Sequence, residues 1–430
     1  MKKDNTLQQK QRRNMMLTAP VGSVIMKMAI PTIIAFLINS IYSLADTYFV
    51  SGLGEAATAA VGVNASLDQL IMMCGSMLAV GANSYIARLL GEGKDKKASQ
   101  VLSTAFFTAF GIGAILLVFG SIFITPMVRL LGATPDCEKY AVDYATYVLW
   151  AAPFMATSFV MNQCLRSEGS ATLSMIGMGF GGILNCLLDP IFIMPWGLNM
   201  GVAGASLATA ISKWVSFAIL IFPYVTRRSL LHLTIRNVNY CKDIVTQVVS
   251  VGSSSMFRSG LAVLAGILLN NIAGRYSDAV LAAIGVTTKI MMFPFSIILG
   301  FGTGFQPVAG FNWGAKRYDR VQESFRFASM VALIGSAIMA ALLIIFADPI
   351  IVLFAGEDPQ MRQVGALCMR LQCYALPILY PAVLIFGAFG VASVQAAADV
   401  LSLALAIPIA LSMVKKIRNA QKSMLESKAE

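Results

Sequence analysis

The sequence predicts an all-α polytopic membrane protein: two parallel six-helix-type repeats, an N-lobe and a C-lobe, around a central cavity, with the second repeat about one span short. Three observations predict it. Of 430 residues, 57% are hydrophobic and 12% charged, where soluble domains carry about 25% charged residues. The apolar runs are too long for the buried helices of a soluble domain. Glycines and prolines also recur in register. Gly62 to Gly91 and Gly285 to Gly314 are both 29 residues, and Gly91 to Pro126 and Gly314 to Pro349 are both 35. The stretch Ala59-Ala60-Val61-Gly62-Val63 returns as Ala282-Ala283-Ile284-Gly285-Val286. Six spans precede the second copy, so both copies enter the membrane from one side and are related by an axis along its normal.

Residues 1–24 read as a basic cytoplasmic tail (Lys2, Lys3, Lys10, Arg12, Arg13), with no cleavable signal peptide. Spans at about 27–50, 58–87, 99–123, 141–165, 171–195 and 201–225 make the N-lobe, 25–226. A basic cytoplasmic connector, 227–243, carries Arg227, Arg228, Arg236 and Lys242. The C-lobe, 244–414, holds spans at about 245–273, 280–310, 327–354, 364–386 and 391–414, and 415–430 form a basic and polar tail. Lys and Arg crowd the N-terminal tail, the 88–98 loop, the connector and the 314–326 loop. The 51–57, 193–201 and 355–362 loops hold only Arg362 between them. The positive-inside rule therefore places the N-terminus in the cytoplasm of a multi-pass protein of the bacterial inner membrane, with Trp196 at the outer interface. The net charge of +11 belongs to those loops, and no nucleic-acid partner is expected.

The repeat register breaks late. Pro153 lies 48 residues before the Gly201-Val202-Ala203 turn, but Pro377 lies 13 before Gly390-Val391-Ala392. One span and its loop, about 35 residues, have no counterpart. Eleven spans would carry Lys415, Lys416 and Arg418 outside, against the charge rule. Either the 364–414 region does not cross twice or the chain is frustrated there.

Polar groups inside the spans carry the functional expectation. An Asp at the centre of a membrane helix costs about 2.5–3.5 kcal/mol, so it faces protein or water and usually binds something. Asp46 sits near the outer end of the first span, with Tyr42 one turn earlier on the same face. Asn185 and Asp189 are also one turn apart, in the fifth span. The two carboxylates differ in depth by only ~1–2 Å at 1.5 Å per residue. Pro190 lacks an N–H, which frees the carbonyl of Cys186 as an extra oxygen ligand. Thr209 in the sixth span can add a hydroxyl, and Asn162, late in the fourth, an amide.

The second half differs at the mirrored position. The counterpart of Asp46 is Leu269, followed by Asn270 and Asn271. Arg258, Lys289, Gln306 and Asp399 are the polar groups of its spans. One histidine, His232, seven cysteines without a CxxC pair and no GxxxxGK[ST] loop leave no enzyme, cofactor or metal signature. The exception is a possible Na⁺ at Asp46, Asn185 and Asp189.

Four stretches together resemble the multidrug and toxic compound extrusion family in its DinF-like bacterial branch. They are IYSLADTYFVSGLG, ARLLGEGK, LNCLLDPIFI and GVAGASLATAIS. The resemblance covers about 20–378 and resumes over 381–414. It implies a monomeric antiporter in the lipid bilayer that exports small cationic or amphiphilic compounds in exchange for H⁺ or Na⁺, by alternating access. It also implies that Asp46, Asn185, Asp189 and Thr209 hold the ion and that Tyr42 lines the cavity. The stretch of about 35 residues missing from the second half is a departure from the family. Two rivals stand beside this reading. A lipid-linked oligosaccharide flippase of related architecture would need basic cavity residues, for which Arg258 and Lys289 are the candidates. A truncated inactive member would draw on the missing stretch.

Overall fold

A computed structural model describes residues 11–355 and Ala366, apart from 52, 54, 134, 136, 195–196 and 274–277; some helical stretches, chiefly 261–286, are described by their backbone alone. Residues 11–18 are helical, and Met16 is buried. The helices that follow are α1 (Val21–Ser51), α2 (Glu55–Gly91), α3 (Asp95–Ile122), α4 (Ile124–Leu130), α5 (Glu138–Ser167), α6 (Ala171–Ile193) and α7 (Gly201–Val225). After a 3₁₀ turn at Ile235–Asn237 come α8 (Lys242–Ala273), α9 (Asp278–Gly314), α10 (Tyr318–Ile345) and α11 (Ala347–Ala355). Eight of the described helices (α1, α2, α3, α5, α6, α7, α9 and α10) are long and apolar enough to cross a membrane.

The third C-lobe span departs from expectation. The run expected at 327–354 is two helices, α10 ending at Ile345 and α11 starting at Ala347. Pro349 cannot donate to the carbonyl of Ile345, so the helix stops and restarts. Pro126 does the same to Ile122 between α3 and α4, a short helix that hydropathy alone reads as loop. The repeat is carried into the backbone. Moved by 223 residues, the bounds of α2 and α3 become those of α9 and α10, and α4 and α11 begin at equivalent residues. The spans expected at 364–386 and 391–414, the C-terminal tail, Asp399 and Trp196 lie outside the described residues. So do the side chains of Arg258, Lys289, Asn270 and Asn271.

The chain divides into two compact units, one of residues up to Phe257 with Leu299–Arg317, the other of Arg258–Ile298 with the residues from Tyr318 onward. In the second, Ile290, Ala347, Ile351 and Ala366 form a small apolar cluster. The first carries the site. Its central helix is α5, with 83% of its span buried and a mean hydropathy of only 1.2. Surrounded by protein, it can carry Asn162, Gln163 and Arg166 fully buried. Helix α6 shows the opposite arrangement. Ile176, Phe180, Ile183, Leu187 and Ile191 recur every three or four residues as an exposed apolar stripe suited to lipid. The reverse face, with Gly181, Asn185 and Asp189, is buried.

Small residues set the helix crossings, as expected where lipid supplies no hydrophobic drive between helices. A Cβ on Gly113 of α3 would sit 2.4 Å from Pro153 Cα of α5, and one on Gly182 of α6 would sit 3.0 Å from Ile38 of α1. One seam follows the sequence repeat. A Cβ on Gly91 would lie 2.0 Å from the Phe311 carbonyl oxygen, and one on Gly314 would lie 1.9 Å from that of Arg88. These are equivalent contacts, because Gly314 and Phe311 are Gly91 and Arg88 advanced by one repeat. The α2–α9 crossing is thus self-complementary, in the way a two-fold interface is.

A buried polar knot lies on the same crossing. Asn83 Nδ2 donates to Gln163 Oε1 (3.2 Å) and to Gln306 Oε1 (3.3 Å), and Ser167 Oγ donates to Asn83 Oδ1 (2.5 Å). Asn83 and Gln306 are again repeat equivalents, 223 residues apart. Gln306, read from sequence only as a polar group within a span, is therefore a partner in this knot.

The connector is stitched to the bundle. Ser229 Oγ and the Leu230 N–H donate to Glu168 Oε2 (2.6 and 2.7 Å). The His232 and Asn239 N–H groups donate to Ser99 and Thr104 of α3 (3.1 and 3.0 Å). Asp243 accepts from Lys97 (2.5 Å) and from Tyr85 (2.8 Å).

Candidate functional site

Tyr42, Asp46, Asn185, Asp189 and Thr209 come together from three helices of the first unit. Glycine at 182 lets α1 and α6 approach until its Cβ position is 3.4 Å from the Tyr42 ring. That crossing sets Tyr42 and Asp46 against the face of α6 bearing Asn185 and Asp189. Asn185 Nδ2 donates to Asp189 Oδ1 (3.3 Å) and to Thr209 Oγ1 of α7 (3.1 Å). Asn185 and Asp189 are 2% and 0% exposed. Asp46 is half-buried and close enough to Asp189 for their charges to interact.

The chemistry of this group lies in its acceptors. Asp46 Oδ1, Asn185 Oδ1 and Asp189 Oδ2 are buried with no hydrogen-bond partner among the described residues. A buried acceptor without a donor carries a desolvation cost of about 1–3 kcal/mol, more for a charged group. Bare oxygens gathered in one interior suit a proton or a hard cation. Three His, Cys, Asp or Glu side chains do not gather into a metal-ion cluster among the described residues, so any cation here would draw on the amide and hydroxyl as well as the carboxylates.

Two further charged side chains share the interior, and the sequence reading missed both. Asp68 of α2 lies within electrostatic reach of Asp46 and of Lys213. Its Oδ1 is also buried and unpartnered among the described residues. Lys213 of α7 sits over the Tyr42 ring, 5.0 Å from its centre, and donates to its hydroxyl (3.3 Å). Tyr144 of α5, 4% exposed, stands within electrostatic range of Asp46, Asp68, Asp189 and Tyr42. One signal was available in the sequence. Lys213 follows Thr209 by one turn, as Asp189 follows Asn185, so it faces the same interior.

Asn162 is placed elsewhere. Its Nδ2 donates to the Ser174 carbonyl (3.0 Å), and its Oδ1 accepts from Arg166. Ser174 is 15 residues before Asp189, so this group lies about 22 Å along α6 from the carboxylates. There Asn162 fixes a buried arginine, whose Nε also donates to Ser174 Oγ (3.0 Å).

Comparison with known proteins bears on this arrangement. Two segments, residues 31–191 and 255–414, match the family model MatE. Multidrug export protein MepA of Staphylococcus saprophyticus is 28% identical over 334 residues, covering 77% of this chain and 73% of that protein. The protein of the same name from Staphylococcus aureus is 27% identical over 300 residues, and the match covers 70% of this chain and 66% of the relative. This chain therefore spans a little under two thirds of the S. aureus protein. A solved structure described as MATE in complex with MaL6 has the same fold, with a TM-score of 0.85 at 22% identity over 94% of this chain and 99% of that one. A structure described as the outward-facing conformation of a multidrug resistance MATE family transporter matches with a TM-score of 0.78 at 26% identity, over 90% and 86%.

Proposed function

The chain belongs to the MatE family, and from that premise we propose that it is a multidrug efflux transporter rather than an enzyme, an antiporter in which one cation and one drug compete for a shared carboxylate site. The observation that carries the reading is the set of bare oxygens on Asp46, Asn185 and Asp189 in one buried interior. Two carboxylates at close range in a low-dielectric site do not both stay ionised and empty. A proton or Na⁺ bound between them neutralises the site. A cationic amphiphile entering from the bilayer or cytoplasm displaces that ion, and the ion's return expels the drug. Alternating access couples the two, since only one side of the membrane meets the site at a time.

Among the described residues, the interior of the first unit holds Asp46, Asp68 and Asp189 against Lys213. That balance is negative and favours cations over the pyrophosphate of a lipid-linked oligosaccharide. The test is Asp46→Asn and Asp189→Asn in cells lacking their own exporters, with ethidium efflux and membrane abundance both measured. Loss of efflux at unchanged abundance is expected for each variant. Efflux at the parental rate in both would remove the carboxylates from the mechanism.

A further inference from the structure

Residues 232–240 of the connector are bonded along the side of α3. The His232 and Thr234 N–H groups donate to Ser99 and Ser103 (3.1 and 3.3 Å), and the Asn239 N–H donates to Thr104 (3.0 Å). Thr104 in turn donates to the Asn239 carbonyl (3.3 Å), and the Tyr240 hydroxyl meets that of Thr108 (3.2 Å). Lys97 is the last charge of α3. At 1.5 Å per residue, Thr104 and Thr108 lie about 10 and 16 Å beyond it. A headgroup layer is about 5–8 Å deep, so the connector reaches the boundary between headgroups and acyl chains. Irregular backbone at that depth must find its hydrogen bonds within the protein, and the hydroxyls of α3 supply them. The other side of this segment is open. Ile235 and Tyr240 are 70% and 63% exposed. Arg228 and Arg236 are exposed as well, and the Arg228 guanidinium lies 5.7 Å from the centre of the Phe222 ring. Neither arginine pairs with a carboxylate among the described residues. Asp243, the one carboxylate of the connector, is held by Lys97 and Tyr85.

We propose that the connector is an interfacial anchor that binds anionic phospholipid, with Arg228 and Arg236 on the headgroup phosphates and Ile235 and Tyr240 among the upper acyl carbons. Depth and charge together select this occupant. A soluble acidic partner would answer the arginines but would not reach side chains at the acyl boundary. A zwitterionic lipid would cover the apolar side chains but leave the positive charge of the connector without a counter-charge. An anionic lipid meets both demands. The planar guanidinium matches phosphate oxygens in pairs, and a tyrosine with an apolar ring and a polar tip suits the level of the headgroups. The surface is distinct from the carboxylate site, and the inference stands whether or not that site carries drugs.

The test places a reporter in the full chain with Ile235→Trp. The variant is reconstituted in vesicles of phosphatidylglycerol and phosphatidylcholine in equal parts, with bromine on the acyl chains of one lipid or of the other. The emission gained over the unsubstituted chain is followed, and bromine quenches it on contact. Both brominated lipids should quench, with phosphatidylglycerol in local excess by about fivefold or more, the attraction of one basic side chain to an anionic surface. Arg228→Gln together with Arg236→Gln, both at exposed positions, should cut that excess by about fivefold. Salt at about 0.5 M should lower it in the unaltered connector by screening the same charges. Absence of quenching by either lipid would put Ile235 in water, overturn the anchor and leave the surface to a soluble partner. Equal quenching by the two lipids, or an excess unchanged by the arginine substitutions, would overturn the headgroup assignment.

Discussion

Consider Gly91→Ala and Gly314→Ala, one residue in each repeat. The new Cβ would lie 2.0 Å from the Phe311 carbonyl oxygen in the first and 1.9 Å from that of Arg88 in the second. Both obstacles are backbone atoms, so no rotamer change relieves the contact. The helices must separate by about 1.4 Å or more before an ordinary contact of 3.4 Å is restored, and overpacking of that kind costs about 1–3 kcal/mol. Equivalence of the two contacts makes a stronger prediction than the cost alone. Each variant should lose the same stability. The double variant should lose clearly less than the sum, because one separation of α2 from α9 accommodates both methyls. Thermal midpoints of the detergent-purified chain, followed by size-exclusion chromatography of heated samples, test both statements. A wild-type midpoint in either single variant, or strict additivity in the double, would refute the symmetric crossing.

Three other predictions address the polar groups. Asn83→Leu leaves the side-chain oxygens of Gln163 and Gln306 without that donor, at about 1–3 kcal/mol per unsatisfied group, while the Ser167 hydroxyl keeps the carbonyls of residues 83 and 163. Gln306→Leu breaks only one of those bonds, so its midpoint should fall less; the reverse order would contradict the knot as drawn. Burial pushes the Glu168 carboxyl from 4.5 up to about 7, against the opposing Ser229 and Leu230 hydrogen bonds and the Arg12 charge. The native chain then holds a proton that the unfolded chain has lost, so stability falls as pH rises from about 4.5 to 7 and levels off above. Glu168→Gln should flatten that slope in midpoints measured across the window, and an unchanged slope would assign it to another group. Asp189→Asn removes one of two facing like charges from a buried site. It should therefore raise stability at alkaline pH by on the order of 1 kcal/mol, seen as a higher midpoint, while abolishing efflux. A lowered midpoint would indicate that the carboxylate serves packing.

The sequence alone determined the membrane-spanning class, the register of the two repeats and the expectation that Asp46, Asn185, Asp189 and Thr209 act together. Each follows from a local or periodic property. Apolar length fixes a span, equal glycine and proline spacings fix the repeat, and an i, i+4 pair shares a helix face wherever the helix sits. Pro126 and Pro349 were legible only as markers of the repeat, and the breaks before α4 and α11 emerged with the structure, the apolar run having been carried through the second of them. Asn162 shows the limit of such reasoning. A polar residue inside a span is equally compatible with the ion site and with a buried arginine at the far end of the bundle, and only the α5–α6 crossing decides between them.

Asp68 and Lys213 were hidden for a related reason. They lie on helices that meet the site from other sides, and charges from separate helices become one constellation only when azimuth and depth are both fixed. Packing fixes them, through close approaches such as Gly182 on Ile38 and Gly91 on Phe311. Spacing along one helix is written in the sequence, because the helix itself is nearly rigid. The rotation of one helix against another is the sum of many small contacts, and tertiary structure alone decides it.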